Sequence, residues 1–331
     1  MKKTMLSALS LLLAVVLFCS CSSQVKNSSV IASVNGEDIL LEEYNYFLLF
    51  AEQSILASAG NTENKKDFWE TTDIDGKNAA ALAKERALDE AIRYTLISQK
   101  AKDMGISTET PEAKEQIAAA LKNAEEFMAQ YELSKDVMTK LLKKFYLESM
   151  IVQKEERDGK IDTSDENLKK VYEANFRTVK HILFPYKDPQ TGEQLYTEED
   201  ALNSAKGVIG MINTGESDFD TLMNSLSKDP GLANYPNGYT FTNDGSMVPQ
   251  FEAAAFALEV GEISEPVATI HGYHVLKREP LQSYDEFIAQ NDKAIISTIV
   301  QQDYLTELIN KLKAEATIER NDKVFEKVEL Y

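Results

Sequence analysis

The chain has few of the residues that build disulfide-linked or metal-linked scaffolds. Only two of its 331 residues are cysteines, Cys19 and Cys21. The chain beyond residue 21 therefore has no disulfide, no thiol nucleophile and no thiolate metal site. Positive charge is also scarce, since 35 lysines and arginines stand against 54 acidic residues and the net charge is −19. Such a surface repels phosphate groups, which argues against nucleic acid as a partner.

Long apolar runs are missing as well. The most apolar stretch, residues 6–18, comes after Lys2 and Lys3. It is too short to span a bilayer, which takes about 20 residues, and it has the proportions of a secretory signal. We expect residues 1–20 to be a signal peptide, which places the rest of the chain outside the cytoplasm.

Cys21 predicts how the chain is held at the membrane. Ser20-Cys21 resembles a bacterial lipobox, in which a small residue precedes the cysteine that becomes lipidated; Phe18 departs from the usual aliphatic residue. We therefore expect a lipid on Cys21, a polar tether over residues 21–29 and anchoring at the extracytoplasmic face of a bacterial cell membrane. The alternative is an ordinary cleaved signal with a stray cysteine.

The sequence beyond the tether divides into three blocks. In the first, Asn35-Gly36 predicts a tight turn between two short strands, and long amphipathic helices come after it. Residues 60–77 are polar and predict a loop, in which Trp69 has no role that we can assign. From residue 178 strands and shorter helices predict a β-α-α-α-β block, with an extra strand at 239–242. A last block is helical, with an apolar stripe over 295–312 that suits a core or a homodimer interface.

All three histidines lie in the middle block. Alternation along a strand puts His181 on one face with Val179 and Leu183, and His274 on one face with Leu276. The two histidines can meet if their strands pair. An ordinary core histidine is the simpler interpretation of either one. A metal site is a weaker interpretation, because no HxxxH or HExxH spacing and no third ligand are present.

The middle block resembles parvulin-type peptidyl-prolyl isomerases over residues 178–280. The likeness lies in His181-Ile182-Leu183, Phe219-Asp220-Thr221-Leu222, Leu226-Ser227-Lys228-Asp229-Pro230-Gly231, Gly245-Ser246-Met247-Val248-Pro249-Gln250-Phe251-Glu252, Ala255-Phe256-Ala257-Leu258, Val260-Gly261-Glu262-Ile263-Ser264-Glu265-Pro266-Val267 and Gly272-Tyr273-His274-Val275. The outer blocks, opening with Ser33-Val34-Asn35-Gly36-Glu37, look like the PrsA/SurA class of extracytoplasmic foldases. This second likeness is less specific.

The resemblance implies an α+β fold in which a parvulin domain, a small mixed or antiparallel sheet with surrounding helices, is inserted into a mainly helical chaperone domain. It implies a helical region at 30–176, an isomerase domain at 177–281 and a C-terminal helix at 282–331 that rejoins the helical region. The implied partners are unfolded, newly exported polypeptides with X-Pro bonds, and no cofactor or metal is implied.

The resemblance also implies the site. His181 and His274 would form a buried hydrogen-bonded pair supported by Thr269, and Asp229 would weaken double-bond character in the amide or orient the histidines. Met247 and Phe251 would floor a slot for the proline ring, and His271 would lie at the periphery of this substrate-binding surface. The implied catalytic residues are thus His181, Asp229, His274 and Thr269, and the implied substrate-binding residues are Met247, Phe251 and His271.

Two departures from the family pattern bear on activity. Residues 237–241 replace the Gly-Gly-Asp-Leu-Gly that usually precedes the methionine, which leaves open a holdase with a weakly active parvulin domain. The basic cluster that reads phosphoserine in some parvulins is missing from residues 185–200, so we expect no phosphate requirement. A solute-binding lipoprotein is a third possibility, but the helical flanks do not suit its usual two α/β lobes.

Overall fold

A computed structural model describes residues 26–59, 66–74, 76–188, 191–291 and 293–330. The predicted signal peptide, Cys21 and most of the tether lie outside these residues. The described chain opens with an antiparallel hairpin of β1 (Val30–Val34) and β2 (Glu37–Leu40). Its turn residues Asn35 and Gly36 have φ angles of 52° and 82°. The turn predicted from Asn35-Gly36 is thereby confirmed, since both central residues of such a turn need positive φ.

Helices dominate the chain from the end of this hairpin to residue 175. Three of them begin at side-chain caps: Thr110, Ser134 and Ser164 each accept a hydrogen bond from a backbone N–H in the first turn. The helices are α1 (Leu41–Ser58), α2 (Lys66–Thr71), α3 (Ala79–Asp103), α4 (Pro111–Asn123), α5 (Glu125–Gln130), α6 (Lys135–Arg157) and α7 (Asp165–Asn175). Helices α1, α3 and α6 share one apolar core.

The loop predicted over 60–77 is wrong for the part that the structure describes. This part contains α2 and a short hairpin of β3 (Asp73–Ile74) and β4 (Lys77–Asn78). Trp69, which the sequence left without a role, is fully buried in the core of α1 and α3. The Asn78 side chain donates to the Trp69 carbonyl at 3.0 Å. One buried indole and this hydrogen bond order a polar stretch whose composition suggested a loop.

The middle block forms a four-stranded antiparallel sheet with helices on both faces. Its elements are β5 (Phe176–Pro185), α8 (Glu198–Asn213), α9 (Phe219–Leu226), β6 (Tyr239–Thr242), α10 (Pro249–Ala257), β7 (Val267–Thr269) and β8 (Gly272–Glu279). The strand order is β6-β5-β8-β7. One face, with Ile182 and Val275, packs on α8 and α9, and the other, with Val179 and Leu276, packs on α10. The extra strand at 239–242 is confirmed, and β7 is an addition.

The C-terminal block returns to the helical region. It contains α11 (Tyr284–Gln290), α12 (Ala294–Glu315), β9 (Ile318–Arg320) and α13 (Asp322–Phe325). The capping box of Ser283 and Glu286 is present. Strand β9 pairs antiparallel with β1. Leu305 and Ile309 of the apolar stripe are buried in a core with residues of α3 and α6, so this part of the stripe packs within the chain.

The α+β prediction is confirmed by this arrangement: a small antiparallel sheet with its own helices comes after a mainly helical region, and the chain then returns to that region. In the described part of the chain, none of the helices combines the length and apolar character that a membrane span requires.

Candidate active site

Pairing between β5 and β8 brings His181 and His274 together. In the register, His181 lies opposite Leu276 and His274 opposite Leu183, so both imidazoles leave the same face of the sheet. Their ring centroids are 5.2 Å apart at an interplanar angle of 70°. The two residues are 9% and 4% exposed. The side-chain alternation inferred from the sequence therefore predicts this contact correctly.

Thr269 anchors the His274 ring. The Thr269 hydroxyl lies 2.9 Å from His274 Nε2 and 3.2 Å from the Gly272 carbonyl oxygen, and it carries a single proton for these two contacts. Burial, followed by the charges of His181 and His271, lowers the pKa of His274 to about 3, so the ring is neutral at physiological pH.

The direct hydrogen bond expected between the two histidines is not formed. Neither Nδ1 atom has a hydrogen-bond partner among the described residues. His274 directs Nε2 to Thr269, and His181 directs Nε2 to Asp229, with 3.3 Å between Nε2 and Oδ2. The pair is therefore held by an edge-to-face ring contact.

Asp229 lies just beyond α9 and is anchored from three sides. Its Oδ2 accepts from the Tyr239 hydroxyl at 2.7 Å and also faces His181. Its Oδ1 accepts from the Gly231 backbone N–H at 3.2 Å. Burial alone would raise the pKa of Asp229, but His181, Tyr239 and Gly231 together outweigh it and lower the pKa to about 2. Asp229 is therefore a fixed, partly buried anion beside the histidine pair.

Phe251 and Met247 lie next to this polar array. Phe251 is 3% exposed, and its ring meets His181 and His274 edge to face at centroid distances of 5.1 and 5.3 Å. Met247 is half-buried just before α10 and packs against the cluster that contains Phe251 and Phe241. The structure thus places the Phe251 ring against both histidines and Met247 in the apolar cluster that contains this ring.

His271 contacts the array through its backbone. Its side chain is exposed at the turn between β7 and β8. Its N–H donates to the Thr269 hydroxyl at 3.1 Å, and its carbonyl accepts from the Tyr186 N–H at 3.0 Å. The contact of His271 with the site is therefore the backbone hydrogen bond that holds Thr269.

Tyr239 is the site residue that the sequence did not reveal. It lies in residues 237–241, whose departure from the family pattern suggested a weakened pocket. Residues 239–241 belong to strand β6, and Tyr239 reaches across to Asp229. The sequence feature that could have indicated its role is an unusual tyrosine in a segment close to the predicted catalytic carboxylate.

The array can orient a peptide by apolar contact and by fixed charge. It offers an aromatic floor, one buried neutral imidazole and one ionised carboxylate. In the described ranges, no three His, Cys, Asp or Glu side chains form a group that could hold a metal ion. Rotation about an X-Pro bond is a chemistry that such a site can serve without a nucleophile, because it makes and breaks no covalent bond.

Comparison with known proteins defines the class. Residues 181–280 match the family of PPIC-type PPIase domains, and residues 1–142 match the SurA-like N-terminal domain. The protein is a parvulin-type peptidyl-prolyl cis-trans isomerase.

The chain as a whole belongs to the PrsA foldase family. It is 30% identical over 277 residues to the foldase protein PrsA of Caldanaerobacter subterraneus, covering 81% of this chain and 79% of that protein. It is 25% identical to PrsA of Clostridium botulinum, covering 97% and 98% of the two chains. A crystal structure of peptidylprolyl isomerase (PrsA) from Bacillus anthracis covers 69% of this chain and 96% of that chain, at 21% identity and a TM-score of 0.36.

Proposed function

We propose that His181, Asp229, His274 and Thr269 are the catalytic residues, with Met247 and Phe251 flooring the proline slot. His271 would lie at the rim of the same site. The observation that carries this proposal is the fixed carboxylate of Asp229 beside two buried imidazoles, all next to the Phe251 ring.

The physical role of each group comes from the amide itself. The rotation barrier of about 18–20 kcal/mol arises from resonance, which places negative charge on the carbonyl oxygen and double-bond character in C–N. A fixed anion such as Asp229 disfavours that charge distribution and favours the twisted amide, whose oxygen is less negative. Phe251 and Met247 supply the apolar contact that holds the proline ring in place. His274 and Thr269 form the support beneath them.

The test is prolyl cis/trans exchange on unphosphorylated X-Pro tetrapeptides with the chain from Ser22 onwards. Asp229→Ala and Met247→Ala should each lose most of the acceleration while the fold is retained. Tyr273→Phe, on the opposite face of the sheet, is the control. Full activity in both alanine variants would refute the site assignment, and dependence on phosphopeptides would refute the predicted independence from phosphate.

We also propose that residues 30–176 and 282–331 form one chaperone unit, into which an isomerase domain of residues 177–281 is inserted. Pairing of β9 with β1 supports this division, as does the burial of Phe325, Val328 and Leu330 in the core of α1 and α3. The proposed function of this unit is to hold unfolded exported chains.

Aromatic side chains on the helical region support the holding activity. Half-buried rings from α1, α3, α5 and α6 contact one another; they are Phe50, Tyr94, Phe127 and Phe145, joined by Tyr46. Partly exposed aromatic rings suit transient contact with apolar segments of unfolded clients. The chain should suppress aggregation of an unfolded client, and Phe50→Ser with Phe127→Ser should weaken that effect without changing tetrapeptide isomerisation. A holdase without isomerase activity would suppress aggregation of the client but would not accelerate tetrapeptide isomerisation.

Anchoring through a lipid on Cys21 completes the proposal. In a bacterial host, Cys21→Ser should abolish labelling by a radioactive fatty acid and release the protein from the membrane fraction. Cys19→Ser is the matched control and should stay labelled. Labelling that depends on Cys19, or no labelling of the unaltered chain, would refute the proposed lipid anchor on Cys21.

A further inference from the structure

Tyr239 shares one oxygen of Asp229 with His181. The Tyr239 hydroxyl lies 2.7 Å from Asp229 Oδ2, and His181 Nε2 lies 3.3 Å from that same atom. The tyrosine and imidazole rings also pack together, with centroids 5.5 Å apart and planes inclined by 31°. Two side chains from separate parts of the domain therefore meet at a single oxygen of the Asp229 carboxylate.

The surrounding backbone makes room for this hydroxyl. In the pairing of β6 with β5, Tyr239 lies opposite Val179, which comes two residues before His181 on β5. A Cβ atom at Gly231 would lie 1.8 Å from the Tyr239 hydroxyl oxygen, so a side chain there would displace it. The Gly231 N–H meanwhile donates to the other carboxylate oxygen. Strand register and a glycine together place the hydroxyl against Asp229.

We propose that Tyr239 is a positioning residue for isomerisation, whose hydroxyl orients the Asp229 carboxylate so that Oδ2 faces His181 Nε2. The inference rests on the catalytic role proposed for Asp229. A neutral donor at 2.7 Å stabilises the anion and restricts rotation of the carboxylate. The carboxylate in turn keeps the His181 proton on Nε2. The carboxylate loses this constraint if the hydroxyl is removed.

Tyr239→Phe isolates the hydroxyl, because the ring and its contact with His181 remain. Tyr273→Phe is the matched control, since Tyr273 belongs to the same domain but packs with the core on the opposite face of the sheet. Both variants are compared with the unaltered chain from Ser22 onwards. NMR monitors the Asp229 carboxyl carbon and the His181 ring nitrogens through a pH titration, and tetrapeptide exchange gives kcat/KM.

Tyr239→Phe should raise the Asp229 titration midpoint by about one pH unit, because a hydrogen bond to the ionised form is lost. It should shift the His181 ring nitrogen signals towards a mixture of tautomers. It should also lower kcat/KM roughly five- to tenfold. Tyr273→Phe should change none of these quantities. A role in packing alone predicts no change in midpoint or tautomer for either variant.

An unchanged Asp229 midpoint and unchanged His181 signals in Tyr239→Phe would overturn the inference. Gly231→Ala provides a second test. Its Cβ would push the Tyr239 hydroxyl away from Asp229 without removing it, so the Asp229 titration midpoint should shift in the same direction. Asp229→Ala separates the two proposals. If Asp229→Ala keeps full activity, the proposed site fails; if it loses activity while Tyr239→Phe leaves both NMR readouts unmoved, only the role of Tyr239 fails.

Discussion

The lowered pKa of His274 predicts that mild acid destabilises the sheet that carries the site. The folded protein resists protonation of this ring until about pH 3, because the ring is buried and lies near His181 and His271. An unfolded chain takes up the proton near pH 6.5. Between these two values the unfolded state binds more protons, so stability falls as the pH falls through that window.

The size of the effect is set by the two pKa values. Lowering the pH from 7 to 5 should cost about 2 kcal/mol through His274, and the loss cannot exceed about 1.4 kcal/mol per pH unit. Asp229 behaves differently. Its pKa is also depressed, to about 2, but the stability that it contributes is present above its ordinary value near 3.9. That contribution is lost only as the pH falls towards 2, so it adds almost nothing between pH 7 and 5.

Urea unfolding at pH 7 and pH 5, monitored by NMR signals of β5 and β8, measures this loss. His274→Gln should remove most of the pH dependence, although it lowers stability at pH 7. His271→Gln is the matched control, because His271 is exposed, and should keep the dependence of the unaltered chain. Direct titration of the His274 ring should show no protonation above about pH 5. A parallel loss of stability in all three proteins, or a midpoint near pH 6.5, would refute the reasoning.

Three further changes test the packing. Gly238→Ala should destabilise the isomerase domain by about 2–4 kcal/mol in urea, because its Cβ would lie 2.5 Å from a β5 carbonyl oxygen. The control is Gly245→Ala, which has a similar positive φ but open space around it and should cost only about 1–2 kcal/mol. Trp69→Ala should cost the helical region about 3–5 kcal/mol without altering tetrapeptide isomerisation, and a negligible cost would contradict its burial. Lys144→Met removes the buried partner of Glu43, which keeps its ion pair with Lys140 at 2.7 Å, and should cost about 1–3 kcal/mol. A second change, Glu43→Leu, should restore part of this loss, and no recovery would argue against a buried ion pair.

Local signals predicted much of this fold. The caps at Ser134 and Ser283 satisfy N–H groups within three residues of themselves, so they are visible in the sequence. The Asn35-Gly36 turn depends on backbone conformations that these residues adopt readily. The shared face of His181 and His274 results from strand alternation once the two strands pair. Each of these features depends on residues close together in the sequence or on the two-residue repeat of a β-strand.

Composition misled where a single long-range contact outweighed it. Trp69 lies in a polar stretch that predicts a loop, yet its burial against α1 and α3 orders that stretch. The apolar stripe of α12 suited a core and a dimer interface equally well, and only the return of the C-terminal block to α3 and α6 shows where Leu305 and Ile309 pack. Burial depends on what faces a side chain, and sequence spacing alone does not contain that information.

The sequence by itself determined the inventory of the site: two histidines on compatible strand faces, a carboxylate, a threonine and an apolar pair four residues apart. The tertiary structure decided how these groups are connected. Pairing of β7 with β8 placed Thr269 beside His274, the segment after α9 brought Asp229 to His181, and the two imidazoles meet through a ring contact instead of the expected hydrogen bond. The tertiary structure also brought in Tyr239, because a hydrogen bond needs two atoms within about 3 Å, and only the pairing of β6 with β5 places this hydroxyl beside Asp229.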